Sequence, residues 1–99
     1  MAKVIFTISY EIKPEKRNEY LSLAKEMKQH LNESKGKNYN IFEQKNKQNS
    51  FSEVFICNSK EEFDQLEDDQ DEKTEELVNR LEQFLSNGKM KYTTLVEVD

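Results

Sequence analysis

The stretch KVIFTISYEI, residues 3–12, alternates between two kinds of side chain. Its even-numbered positions are all apolar or aromatic, whereas its odd-numbered positions become polar toward the end. Because successive side chains of a β-strand point to opposite sides, this period of two predicts a strand with one face against helices and the other in wetter surroundings. The even face consists of Val4, Phe6, Ile8, Tyr10 and Ile12.

A helix is predicted from Pro14 to about Glu33. Proline is favoured in the first helical turn, where its missing N–H would have no partner, and Glu15 lies near the positive end of the helix dipole. The small polar residues around Gly36 end this helix. Its apolar stripe is formed by Tyr20, Ala24, Met27 and Leu31, spaced as one helical face requires.

Two β-prone segments follow, residues 39–45 and 51–58, and the polar connection between them predicts a hairpin. Ser59 and Glu62 form a capping box, so a short helix begins there. The acids of residues 68–71 separate it from a longer helix.

That longer helix is predicted to end with Gly88 as its C′ residue. Residues 90–98 alternate again and predict a last strand. The order β-α-β-β-α-β predicts a single α+β domain over residues 1–99. Its fold is ferredoxin-like, with an antiparallel sheet that carries its helices on one face.

The other sheet face is predicted to be bare, and it carries Ile5 and Leu95 among polar residues. Such a surface is too apolar for a lone subunit. We therefore expect a homodimer through the open sheet face, which closes an intermolecular α/β barrel.

The composition narrows the classes of function. Of the 99 residues 34% are hydrophobic and 35% charged, with a net charge of −5. This acidic balance opposes binding to nucleic acid or to anionic membrane surfaces. No apolar run approaches the roughly 20 residues of a membrane span, and a single cysteine is typical of a reducing compartment. We therefore expect a cytoplasmic protein.

Three stretches of the chain resemble the dimeric α/β-barrel proteins, particularly the antibiotic-biosynthesis monooxygenase domains. They are residues 12–16 with Tyr20 behind them, residues 39–55, and residues 58–63. The resemblance covers nearly the whole chain. It implies the dimeric barrel fold and a family that includes cofactor-independent oxygenases, haem-degrading enzymes and members without established activity.

The resemblance does not extend to the family's catalytic side chains. By approximate alignment, the Asn, Trp and His of the haem-degrading members fall on Ile8, Leu66 and about Glu75. The Trp and His of other relatives correspond to Cys57 and Leu66. The resemblance therefore assigns no catalytic residue and no cofactor, and whether the protein is an enzyme stays open.

Aromatic side chains predict a ligand site between sheet and helices, where active relatives would hold a planar substrate. Tyrosine offers a ring and a hydroxyl group, whereas core packing fully explains the phenylalanines. We predict ligand contacts for Tyr10, Phe63 and Leu66. The wider aromatic set is Phe6, Tyr10, Tyr39, Phe42, Phe55, Phe84 and Tyr92.

Other polar candidates have plain structural explanations. His30 has no second ligand at zinc spacing and is expected on a helix flank, and Cys57 is expected to be buried as a small apolar residue. The acids Asp68, Asp69, Asp71 and Glu72 could attract a cation, but their spacing matches no calcium loop and we predict no metal.

Glu43 and Glu53 could face each other across the hairpin and act in acid–base chemistry if they were buried. Exposed strand residues on a charged surface are the commoner arrangement, and we expect that one.

Three functions follow from these features. The leading one is a homodimeric barrel that binds a small apolar or aromatic molecule between sheet and helices. The alternative is a cofactor-independent monooxygenase acting on a quinol-like or polycyclic aromatic substrate. A third is an interaction module that uses the acid-rich residues 60–76.

Overall fold

The computed structural model describes residues 2–68 and 71–98. Four strands and three α-helices follow one another in the predicted order, with the second helical segment in two parts. A 3₁₀ turn at Pro14–Lys16 precedes the first helix, and a π-helical segment at Gln29–Ser34 follows it. The elements are β1 Val4–Glu11, α1 Arg17–Lys28, β2 Tyr39–Glu43, β3 Ser50–Cys57, α2 Lys60–Asp68, α3 Glu72–Glu82 and β4 Lys91–Val96.

The four strands form one sheet in the order β2-β3-β1-β4, and every neighbouring pair is antiparallel. This topology confirms the predicted ferredoxin-like α+β fold. The register places Ile8 of β1 opposite Glu53 of β3 and opposite Tyr92 of β4. Because directly paired residues share a sheet face, these three side chains lie on the same side.

The core lies between this sheet face and the helices. The even-numbered residues Val4, Tyr10 and Ile12 are buried, as the alternation in the first strand predicts. The main helical contribution comes from α1, whose amphipathic spacing buries one stripe of side chains. The buried helical residues are Tyr20, Leu23, Ala24, Met27, Leu77 and Leu81.

The beginnings of the second and third helices follow the sequence closely. Ser59 Oγ accepts a hydrogen bond from the Glu62 N–H at 3.1 Å, and Glu62 Oε2 accepts one from the Asn58 N–H at 2.7 Å. The α3 helix begins after Asp71, whose Oδ1 accepts a hydrogen bond from the Thr74 N–H at 2.8 Å. Both starts therefore satisfy backbone donors that lack helical partners.

The end of α3 corrects one prediction. The helix ends at Glu82, so Gly88, with a φ of +69°, is not its C′ residue but lies in the connection to β4. The chain leaves the helix early because the end of β1 binds it: the Lys13 N–H donates to the Phe84 carbonyl at 2.8 Å, and the Ser86 N–H donates to the Glu11 carbonyl at 2.9 Å.

The opposite sheet face carries no helix in the part of the chain that the structure describes. Leu95 is 55% exposed there, and Ile5 is half-buried, as predicted. Phe42 also lies on this face and is 58% exposed. Its predicted place between sheet and helices is wrong, because it pairs with Ser52 and is three residues from the helix-facing Tyr39. An odd separation along a strand leads to the opposite face.

Candidate ligand-binding site

A cavity of about 510 Å³ lies between the sheet and the helices, and its lining is mainly apolar. Side chains of β1, β3 and β4 form the sheet wall, and side chains of all three helices form the other wall. Among the described residues, the aromatic rings that line it are those of Phe6, Phe55, Phe63 and Tyr92.

Phe6 is the centre of this aromatic group. Its ring centroid is 6.1 Å from that of Tyr92, with nearly parallel planes, and 5.7 Å from that of Phe63, which meets it edge-on. Phe55 lies at 6.2 Å on the neighbouring strand. These are the offset and edge-to-face geometries that aromatic rings prefer. The group therefore offers ring surfaces against which a flat apolar molecule can pack.

One carboxyl group interrupts the apolar lining. Glu53 lines the cavity from β3 and is only 5% exposed. The Tyr39 hydroxyl donates a hydrogen bond to Glu53 Oε1 at 2.6 Å, whereas the buried Oε2 accepts none from the described residues. Burial raises the pKa of Glu53, because the charged form loses its hydration.

Two further tyrosines lie beside this carboxyl group. The hydroxyl groups of Tyr10 and Tyr20 are 2.7 Å apart and share a hydrogen bond. Burial is the main cause that raises the pKa of Tyr10, of Tyr20 and of Tyr39. The three phenols therefore stay neutral around neutral pH, and burial shifts Glu53 toward its neutral form as well.

Lys35, Lys37 and Thr74 add polar groups to the lining. Lys35 Nζ lies 3.5 Å from Oδ2 of Asp71, and Oδ1 of the same carboxylate lies 3.3 Å from His30 Nε2. This cluster joins the segment that follows α1 to the start of α3. It therefore holds two helices that border the cavity.

Two of the three residues predicted to contact a ligand lie in the cavity wall. Phe63 and Leu66 of α2 line it side by side. Tyr10 does not line it, because its ring packs edge-on against Tyr20 at 5.9 Å and is 5% exposed. The structure thus places Tyr10 behind the site, next to Glu53, and ligand contact by these residues stays a prediction.

Glu53 is the site residue that sequence reasoning missed. The expectation of exposed strand carboxylates fits Glu43, whose Oε2 is 2.6 Å from Arg17 Nη1, but it is wrong for Glu53. The two do not face each other across the hairpin, because the register pairs Glu53 with Ile41 and Glu43 with Phe51. The sequence did contain a signal for this burial. Glu53 is two residues from both Phe51 and Phe55, and residues two apart on a strand lie on the same face.

The other candidate residues have structural roles or lie outside the described part of the chain. Cys57 is buried, as predicted, and burial raises the pKa of its thiol. Asp71 caps α3, and Asp69 lies outside the described residues. Within residues 2–68 and 71–98, no three His, Cys, Asp or Glu side chains lie together as metal ligands would, and no helix is long and apolar enough to cross a membrane.

Several solved structures share this architecture over nearly their whole length. A conserved protein from Methanosarcina mazei Go1 superposes with a TM-score of 0.80 at 16% identity and covers 96% of this chain and 92% of its own. A putative antibiotic biosynthesis monooxygenase from Caulobacter crescentus CB15 reaches 0.81 at 10% identity, with 99% and 92% covered. This chain has the antibiotic biosynthesis monooxygenase-like fold.

The same fold occurs in SnoaB, a cofactor-independent oxygenase from Streptomyces nogalater, with a TM-score of 0.74 at 10% identity and coverages of 98% and 94%. No family model matches the sequence, and no curated protein matches it either. At sequence identities this low, structural similarity demonstrates a shared fold and not a shared chemistry. The resemblance seen in the sequence is thus confirmed as a relation of fold.

Proposed function

We propose that this protein binds a small, largely apolar or aromatic molecule in the cavity between its sheet and its helices. The observation that carries the proposal is the cavity itself. Its volume of about 510 Å³ falls within the roughly 300–1,000 Å³ of small-molecule sites, and an apolar lining with few polar groups is typical of them. The ring faces around Phe6 supply the packing surface.

A tryptophan reporter tests the proposal, since the chain has no tryptophan of its own. Phe63→Trp places an indole in the cavity wall, and Phe84→Trp places one at a half-buried position outside it. Titration with 2-naphthol and 2-methylnaphthalene should change the emission of the first variant saturably and leave that of the second unchanged. No saturable change in Phe63→Trp, or equal changes in both, would contradict a ligand site here.

The open sheet face supports a second part of the proposal, a homodimer. Phe42 and Leu95 are more than half exposed on this face, with the half-buried Ile5 and Ile56 between them. Apolar patches of this kind mark surfaces that bind a partner. A second copy would cover this face with a surface of the same character. We also propose a cytoplasmic location, because a chain with one cysteine cannot form an intrachain disulfide, which is typical of a reducing compartment.

Cofactor-independent oxygenation of a quinol-like or polycyclic aromatic substrate is the second candidate function. The observation in its favour is the buried carboxyl group of Glu53 in the cavity wall, which could accept a proton from a phenolic substrate. Oxygen uptake with hydroquinones and anthrones tests it. Turnover that falls in Glu53→Gln would support an enzyme, and no uptake with any of them would favour binding alone.

A further inference from the structure

We propose that a second cavity, at the polar end of the open sheet face, binds a phosphate group through Lys89 and Lys91. This cavity has a volume of about 590 Å³, and Met90 is the residue that its lining shares with the cavity between sheet and helices. The inference assigns a new site and does not rest on the proposed function.

The first argument is local charge. The chain has a net charge of −5, yet the wall of this cavity holds Lys47, Lys89 and Lys91 against one acid, Glu11. Glu11 Oε1 lies 2.7 Å from Lys47 Nζ, so these two charges compensate each other. Lys89 and Lys91 form no ion pair with the residues that the structure describes. Their positive charges therefore attract an anion to this wall.

The second argument is the spacing of the two lysines. Lys89 lies two residues before Lys91, the first residue of β4, and both side chains line the same cavity. Two residues of chain span no more than roughly 7 Å between Cα atoms. Both ammonium groups can therefore reach one anion, and its binding offsets the repulsion between them.

The third argument is a pair of hydroxyl groups beside Lys91. Ser9 of β1 pairs with Lys91 on one side and with Ser52 of β3 on the other. The two serine Oγ atoms are 2.8 Å apart and share one hydrogen bond, so the pair keeps one further O–H group as a donor. Both serines line the cavity and are partly exposed. Two ammonium groups and a hydroxyl group suit the several acceptor oxygens of a phosphate group better than the two of a carboxylate.

The site lies apart from the apolar patch that a second copy would cover. Ile5 and Leu95 are each four residues along their strands from Ser9 and Lys91, a distance of roughly 13 Å. Both lysines of the site are exposed. The phosphate site is therefore independent of the proposed homodimer.

An NMR titration of ¹⁵N-labelled protein tests the site with inorganic phosphate and with glycerol 3-phosphate, at neutral pH and low ionic strength. At least one of them should shift the amide signals of Ser9, Lys89 and Lys91 saturably and leave those of Ile5 and Leu95 unchanged. Tighter binding of glycerol 3-phosphate would support the site and identify its ligand as a phosphate ester. Equal or tighter binding of inorganic phosphate would support it with free phosphate as the ligand.

Two double variants separate a site from general charge attraction. Lys89→Gln with Lys91→Gln should weaken phosphate binding at least roughly tenfold, because two charge-assisted contacts are lost. Lys25→Gln with Lys28→Gln, at exposed positions of α1, changes the net charge equally and should leave the binding unchanged.

Three results would overturn the proposal: no saturable shift in wild type, unchanged binding without Lys89 and Lys91, or equal weakening in both double variants. Circular dichroism checks that the variants fold. Should the first of them not fold, the positions of the shifted signals in wild type decide the question.

Discussion

The Tyr39 hydroxyl donates a 2.6 Å hydrogen bond to Glu53 Oε1, and the two residues are 1% and 5% exposed. Tyr39→Phe would therefore remove the hydrogen bond that Oε1 of this buried carboxyl group accepts. We expect a loss of about 1–3 kcal/mol in the free energy of unfolding, measured by urea denaturation. Tyr92→Phe is the control, because Tyr92 is 61% exposed and its hydroxyl bonds only to sulfur in the described chain. Equal losses in the two variants would contradict the importance of this hydrogen bond.

Glu53 should make stability fall as the pH rises. Its folded-state pKa is raised by burial above the ordinary 4.5, so its contribution is fully present below pH 4.5 and is lost as the pH rises toward the folded-state pKa. Wild type should lose stability relative to Glu53→Gln as the pH rises above 4.5. Denaturation midpoints of the two proteins test this, and parallel pH profiles would refute it.

The contribution of Glu43 to stability should change with pH in the opposite direction. The side-chain hydrogen bond from Arg17 is the main cause that lowers the pKa of Glu43 from 4.5 to about 2, and the Asn49 N–H adds to it. The stabilisation is therefore present above pH 4.5 and is lost as the pH falls through about 2. Glu43→Gln should be less stable than wild type at neutral pH and should approach it in acid. A constant difference from neutral pH to acid would show that the ion pair is not its source.

Two neighbouring leucines of α1 should respond very differently to truncation. Leu23 is fully buried at 0% exposure, so Leu23→Ala should destabilise the protein by about 2–5 kcal/mol. Leu21 is 39% exposed, so Leu21→Ala should cost about 0.5 kcal/mol or less. Urea denaturation of both variants checks which face of α1 packs against the core. Similar losses would mean that α1 packs with a different face.

The homodimer should depend on the open sheet face. Light scattering at micromolar concentration should report a mass near twice the 11.8 kDa of one chain. Leu95→Arg places a charge on that face and should release monomers, because burying an unpaired charge is unfavourable. Leu21→Arg, on the helical side, is the matched control and should leave the mass unchanged. A single 11.8 kDa species in wild type would refute the dimer.

Local patterns predicted much of this architecture. The alternation from Val4 to Ile12 predicted a strand with one covered face, because side chains must alternate in any extended chain. The pair Ser59 and Glu62 predicted a helix start, because capping is an interaction between residues three positions apart. The burial of Cys57 also followed from its apolar neighbours. The order of these elements was enough to predict the fold.

The sequence by itself thus determined the elements, their order and the apolar character of each face, since these depend on residues close together in the chain. Only the tertiary structure decided which polar side chains enter the core. Glu53 is buried with Tyr39 of the adjacent strand, and Tyr10 pairs with Tyr20 of α1 instead of lining the cavity. Those contacts depend on strand register and helix packing. A register change of one residue moves a side chain to the other face.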